Sequence, residues 1–192
     1  HYYSTMQITF AGAARTVTGS LILLECDNQK FMLECGLFQG HREEAERINR
    51  TFPFKPRDIK AVILSHAHLD HSGNLPSLVK RGFSGPIYCT PATADISKLL
   101  LADSAVLQEN DIAFFNKRQV AKGLPTKEPL YTSAEAEKTF KHFCTMHHYT
   151  EFSPINGLKV TFYDAGHILG SSMILMAAQG KRILFSGDLG RK

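Results

Sequence analysis

The 192 residues predict a mixed α+β fold in one domain, and three features predict it. Short apolar strands joined by tight turns recur towards both ends of the chain, and a buried-type strand in its first half runs into a histidine-rich turn. Between them lies a long stretch without internal proline or glycine that carries helical periodicity. At 43% hydrophobic the chain can bury a substantial core, and its length fits one domain.

The elements follow in order. Met6 to Phe10 is a first strand, and Leu21 to Cys26 returns across AGAARTVTGS, a loop made flexible by two glycines and several small residues. Asp27-Asn28 supplies the next turn, and Lys30 to Glu34 is a third antiparallel strand that Gly36 breaks. HREEAERINR is helical by propensity but almost wholly polar, a solvated face that Pro53 and Pro56 end. Ala61 to Ser65 is a buried strand. Asn74 to Arg81 reads as a short helix with Pro76 near its start and Gly82 closing it. Ile87 to Thr90 is a further strand, and Pro91 opens another helix. From Ala92 to about Lys122 the pattern predicts two helices packed on a sheet through Ile96, Leu99, Leu100, Val106 and Leu107. Phe114-Phe115 beside Lys117 and Arg118 could stack RNA bases, but base rates favour a buried helix end with a solvated tail. Thr132 and Glu135 fit a capping box, opening a helix that carries Ala136, Thr139, Phe140 and Phe143 and ends near Cys144. Leu158, Val160 and Phe162 alternate as in a half-exposed strand leading into DAGHILGSS. Met173 to Ala177, the Gln179-Gly180 turn and Arg182 to Ser186 make a last hairpin, which delivers Gly187, Asp188 and Leu189 at its far end.

The chemistry concentrates in AVILSHAHLDHSG, Ala61 to Gly73. A buried strand end fixes a turn that offers His66, His68, Asp70 and His71, a donor set suited to zinc or another borderline divalent ion. Four ligands so close in sequence cannot easily reach one tetrahedral centre, so two ions sharing the turn is the simpler geometry. Two later residues, His167 in AGHILG and Asp188 in SGDLG, sit at strand ends beside glycine and are the natural partners of the first four. A lone His167 would more often be a core histidine donating to a carbonyl. Asp188 can bridge two cations as no imidazole can. His41, His142, His147 and His148 lack such context and read as surface or helix-end residues.

Charge and cysteine usage set the surroundings. A formal charge of +4 and a pI near 8.9 lean weakly towards anionic partners, since the bases are dispersed among acids. Cys26, Cys35, Cys89 and Cys144 are widely spaced and read as reduced core thiols of a cytoplasmic protein. No stretch approaches the roughly eighteen apolar residues of a membrane span, and HYYSTMQITF has no export pattern. A natural start at Met6 would lead straight into the first strand, which sets residues 1–5 apart as foreign to the chain.

With these residues in hand, the chain resembles the metallo-β-lactamase superfamily, and within it the β-CASP branch of RNA- and DNA-cleaving nucleases. His66 to His71 match the HxHxDH motif, His167 in GHILGS the third motif and Asp188 in SGDLGR the fourth. GAARTVTGS and CGLFQG look like the bacterial ribonucleases of that branch, related to the cleavage endonuclease of messenger-RNA 3′-end processing. The resemblance implies an αββα sandwich with a dinuclear zinc site at one sheet edge. His66, His68 and His167 would hold one ion, Asp70 and His71 the other, and Asp188 both, with Asp70 and Asp188 as the catalytic carboxylates. Gly170, Ser171 and Ser172 would bind a phosphate oxygen through backbone amides, although a plain strand-start turn explains them equally well.

Two departures from the family pattern stand out. Glu34 replaces the usual aspartate that supports the metal loop without binding metal, and the extra methylene is expected to loosen or shift the turn. The β-CASP cap, the returning segment and a last histidine would all follow Lys192, so residues 1–192 are expected to be the N-terminal portion of a longer protein, by itself weak in metal binding and activity. The implied function is metal-assisted hydrolysis of RNA phosphodiester bonds with two zinc ions and no covalent intermediate. RNA is the expected partner and a membrane is not; a homodimer stays open. The rivals are a glyoxalase-II-like thioester or ester hydrolase and a catalytically silent RNA-processing scaffold.

Overall fold

A computed structural model describes residues 6–191; residues 1–5, set apart above as foreign, and Lys192 lie outside the described residues. Strands β1 (Gln7–Gly12), β2 (Leu21–Cys26) and β3 (Gln29–Leu33) form an antiparallel meander. The β2–β3 turn is Asp27-Asn28 with φ of 48° and 61°, the left-handed pair that a two-residue hairpin turn requires and that short polar side chains tolerate. Helix α1 (Arg42–Asn49) follows and buries none of its residues. β4 (Ile59–Ile63) then joins β3 in parallel, and the short helices α2 (Leu69–Ser72) and α3 (Leu75–Lys80) lead to β5 (Ile87–Cys89), parallel to β4.

Helix α4 (Pro91–Val120) is one uninterrupted helix of 30 residues, where the sequence pattern had predicted two. Thr90 caps it, its hydroxyl accepting from the Thr93 amide at 3.2 Å. Its buried face is also not the predicted one. Thr93, Ala94, Ser97, Leu101, Ser104 and Ala105 are buried, whereas Leu99, Val106 and Leu107 are exposed. Small side chains let the helix lie close against its neighbours, so the bulky apolar residues fall on the outside. Phe114 is 66% exposed, so the expected buried helix end is absent too. Helix α5 (Ser133–Thr139) begins with the expected capping box of Thr132 and Glu135 but stops five residues short of Cys144. A 3₁₀ turn over 140–142 leads instead into strand β6 (Phe143–Thr145), parallel to β5 at the sheet edge.

The second sheet has the order β10-β9-β8-β7 and is wholly antiparallel: β7 (Glu151–Ile155), β8 (Leu158–Asp164), β9 (Ser172–Ala178) and β10 (Lys181–Phe185). Its inward residues Leu158, Val160, Phe162, Ile174 and Met176 meet Leu24, Phe31, Leu33 and Ile63 of the six-stranded sheet β1-β2-β3-β4-β5-β6. The other face of the larger sheet packs Met32, Val62, Leu64 and Ile87 against Leu75 and Leu78 of α3 and Ala94 of α4. The layers are thus helix, sheet, sheet; among the described residues, the helices that pack on a sheet in these cores lie on the larger one. Burying roughly 1.5–3 kcal/mol of transfer energy per large side chain on both faces anchors β4, and β4 carries the histidine turn.

Candidate metal centre

The turn after β4 is held from below by the segment after β3 and by Ser20, just before β2. Ser20 donates to the Asp70 carbonyl at 2.8 Å, Cys35 to that of His71 at 2.7 Å and Leu37 to that of Leu69 at 2.8 Å. CGLFQG is therefore a strap under the turn. A Cβ on Gly36 would collide with the Asp70 carbonyl, so only glycine allows so close an approach. The loops of the other two ligands are clipped to each other: Gly190 donates to the Ala165 carbonyl at 3.0 Å, and its own lack of a side chain makes room for the Gly166 carbonyl.

Three loops thereby bring six side chains together. His66 Nε2 lies 3.1 Å from His68 Nδ1, which lies 3.2 Å from His167 Nε2. Asp188 Oδ2 is 3.9 Å from His66 Nε2 and 3.7 Å from His167 Nε2. The other Asp188 oxygen, Oδ1, is 3.5 Å from His71 Nε2, and Asp70 Oδ2 is 3.6 Å from that same nitrogen. Asp188 is half exposed and stands between the two groups, while His66 is fully buried.

Glu34 orders the imidazoles from beneath. It is fully buried at φ 63°, a left-handed backbone that costs a non-glycine residue about 1 kcal/mol. Its carboxylate accepts from the Ser65 amide at 2.7 Å, the Ser65 hydroxyl at 2.9 Å and His71 Nδ1 at 2.6 Å. The Ser65 oxygen, its own proton committed to Glu34, accepts from His66 Nδ1 at 2.9 Å. One carboxylate thus fixes both tautomers, leaving the Nε2 lone pairs of His66 and His71 facing the site. The longer side chain, whose extra methylene was expected to loosen or shift the turn, makes three hydrogen bonds to it. Ser65, adjacent to the motif in SHAHLDH, links Glu34 to His66, a contact that sequence reasoning overlooked; its position beside His66 was the available signal.

Protonation follows from the same contacts. Burial, reinforced by the neighbouring His71, His68 and His167, pushes the His66 pKa down to about 3 and keeps it neutral. Burial also opposes charge on His71, but the hydrogen bond and charge of Glu34, with Asp70 and Asp188, outweigh it and raise its pKa. His66 Nε2, its lone pair turned inward, and His167 Nε2 both lie within hydrogen-bond distance of His68 Nδ1, a spacing that a proton on His68 or a cation among the three nitrogens satisfies. Ligand nitrogens on a tetrahedral zinc sit about 3.3 Å apart, so the donors present fit such an ion in both chemistry and spacing.

The amides of Ser171 and Ser172, expected with that of Gly170 to bind a phosphate oxygen, are already engaged within the fold. The Ser171 amide donates to the Ile168 carbonyl and the Ser172 amide to that of Ser65, both at 2.9 Å. The Gly170 carbonyl accepts from the Thr90 and Thr93 hydroxyls at 2.7 and 2.9 Å, and both serines are buried. This segment docks the His167 loop on the start of α4, with no amide of Ser171 or Ser172 left for a substrate. His148 also departs from expectation: its Nε2 lies 3.0 Å from Ser172 Oγ, one residue beyond that docking turn, and it is half buried. His142 bonds the Gly85 carbonyl at 2.9 Å, and His41 precedes α1.

Comparison with known proteins agrees with this architecture. Residues 15–192 match the model of the metallo-beta-lactamase superfamily, and the chain belongs to that family. It is 37% identical over 187 residues to Ribonuclease TTHA0252 of Thermus thermophilus, covering 97% of this chain and 38% of the relative. It is 30% identical over 188 residues to Cleavage and polyadenylation specificity factor 73 of Drosophila melanogaster, covering 97% of this chain and 25% of the relative. The resemblance drawn above to the RNA-processing nucleases of the β-CASP type therefore holds. A solved Cronobacter sakazakii metallo-beta-lactamase with a HARLDQ motif shares the fold, with a TM-score of 0.57 at 19% identity over 95% of this chain and 56% of that one. The chain spans about two fifths or less of the length of the curated relatives it matches.

Proposed function

We propose that the chain supplies the metal-binding part of a ribonuclease that hydrolyses RNA phosphodiester bonds at a pair of zinc ions. The observation that carries this is the placement of Asp188, one carboxylate oxygen turned towards His66 and His167 and the other towards His71. His66, His68 and His167 would hold one ion, Asp70 and His71 the second, and Asp188 would serve both. Ions bound there would neutralise charge on a phosphodiester and lower the pKa of a water molecule.

The protein's own residues do the rest. Glu34 and Ser65 keep the imidazole lone pairs aimed inward, so little reorganisation is needed when charge develops. Asp70 and Asp188 face the open side, where a phosphate would approach, and the buried histidines behind them exclude water. RNA is the substrate class favoured by the names of the relatives, which include a ribonuclease and an endoribonuclease. A cytoplasmic location accords with four free cysteines and with the absence, among the described residues, of a helix long and apolar enough to cross a membrane.

The test uses the full-length gene product, reconstituted with zinc and assayed on single-stranded RNA and on a lactoylglutathione-type thioester. Cleavage of RNA alone is expected, with loss of about 100-fold or more in Asp188→Asn. Hydrolysis of the thioester alone would replace this reading with the ester-hydrolase one. Substoichiometric zinc after reconstitution would favour the silent scaffold.

A further inference from the structure

Helix α1 and the outer half of α4 diverge to leave an open groove of about 870 Å³, separate from the histidine cluster. Its apolar lining includes Leu107, Ile112, Phe114 and Phe115 of α4 and Leu130 beyond it. Its lining includes Leu37, whose amide bonds the Leu69 carbonyl of the metal turn, so the groove touches the strap beneath the metal centre.

Two observations distinguish this groove from an ordinary apolar cleft. The first is its aromatic and cationic pairing. The Arg42 guanidinium lies 5.0 Å and the Lys127 ammonium 5.5 Å from the Phe115 ring centre, and the Arg118 guanidinium lies 5.9 Å from that of Phe114. Phe114 presents two thirds of its surface to solvent. The second is charge. Arg42, Arg50, Arg118, Lys122 and Lys127 line the groove against only Glu46 and Asp111. Glu46 is already engaged, by Arg50 at 3.3 Å and Lys127 at 2.6 Å. Among the described residues, Arg42, Arg118 and Lys122 have no carboxylate within 4 Å. Covering these three with an apolar protein surface would cost desolvation with no counter-charge in return. A phosphate backbone supplies that counter-charge, and every base has a face to lay on phenylalanine.

We propose that this groove binds a segment of single-stranded RNA, Phe114 stacking on a base while Arg42, Arg118 and Lys122 contact phosphates. It rests on the ribonuclease reading for the identity of the strand and adds a binding surface outside the metal centre. An exposed ring such as Phe114 stacks on an unpaired base, which favours a single strand over a duplex.

Binding is measured on the full-length protein in chelator, so that cleavage does not intervene, by fluorescence anisotropy with a labelled oligouridine. Phe114→Ala is expected to weaken binding about tenfold, and Phe114→Trp to restore it. Arg118→Gln combined with Lys122→Gln is expected to flatten the slope of log affinity against log salt by about 1.4. None of these residues touches the histidines, so zinc content stays as in the parent. RNA carrying 4-thiouridine is expected to crosslink to the α4 segment that contains both phenylalanines. Parental binding by Phe114→Ala and by the double glutamine variant, or crosslinks confined to other parts of the protein, would overturn the proposal. If those variants bind normally while RNA is still cleaved, the groove assignment falls and the nuclease reading stands; if the parent neither binds nor cleaves RNA, both fall.

Discussion

Glu34 shows how one residue can govern a site without meeting its ligand. Its carboxylate only accepts, and its three partners all donate to it, so the match depends on charge and not on shape alone. In Glu34→Gln an amide N–H must face either the Ser65 amide or the donors Ser65 Oγ and His71 Nδ1. Zinc affinity is therefore expected to fall about 10- to 100-fold, measured by competition with a chromophoric chelator. Ser65→Ala removes only the His66 arm and is expected to cost less. The pH dependence of metal-free stability tests the same contacts. His66 drops from an ordinary 6.5 to about 3 in the fold, so between those values the unfolded chain binds the extra proton. Stability is therefore expected to fall as pH drops through that window, and His66→Gln to remove that component from a denaturant-unfolding series. His71 has the opposite sign. Its raised pKa contributes stability that is complete below its unfolded value and lost as pH rises through the folded one, so it does not account for the acid loss.

Single elements show where a hydrophobic pattern informs and where it misleads. The Asp27-Asn28 hairpin, the capping box at Thr132 and Glu135, and the last hairpin were legible because each depends on local chemistry. Helix α4 was not, since its packing face is made of alanine, serine and threonine around Leu101, and Leu99 and Leu107 face water. Leu101→Ala is accordingly expected to destabilise by about 2–5 kcal/mol. Leu99→Ala, at 72% exposure, is expected to stay within about 0.5 kcal/mol of the parent, both read from denaturant midpoints. Two strands escaped notice for physical reasons. Strand β7 contains Pro154 and survives only because it is the sheet's edge, where a missing N–H costs nothing. Strand β6 is three residues long and exists through parallel pairing with β5, a distant partner that no local pattern reveals.

At the scale of the whole molecule, the fold converts three separate loops into one cluster. Two sheets bury the strands that carry the loops, the CGLFQG strap fixes the HAHLDH turn, and the Gly190 clip ties the His167 and Asp188 loops together. The six candidate ligands could be named from strand ends and glycines alone. The Ser65 contacts and the bonds of Gly170 to Ser172 could not, because both follow from which groups face each other across the sheets. The most direct measurement is an anomalous-scattering map at the zinc edge from crystals of the full-length protein grown with zinc. Two peaks are expected, one among His66, His68 and His167 and one beside Asp70 and His71, with Asp188 between them. Absence of any peak within reach of His167 and Asp188, or zinc bound only at other residues, would contradict the central claim.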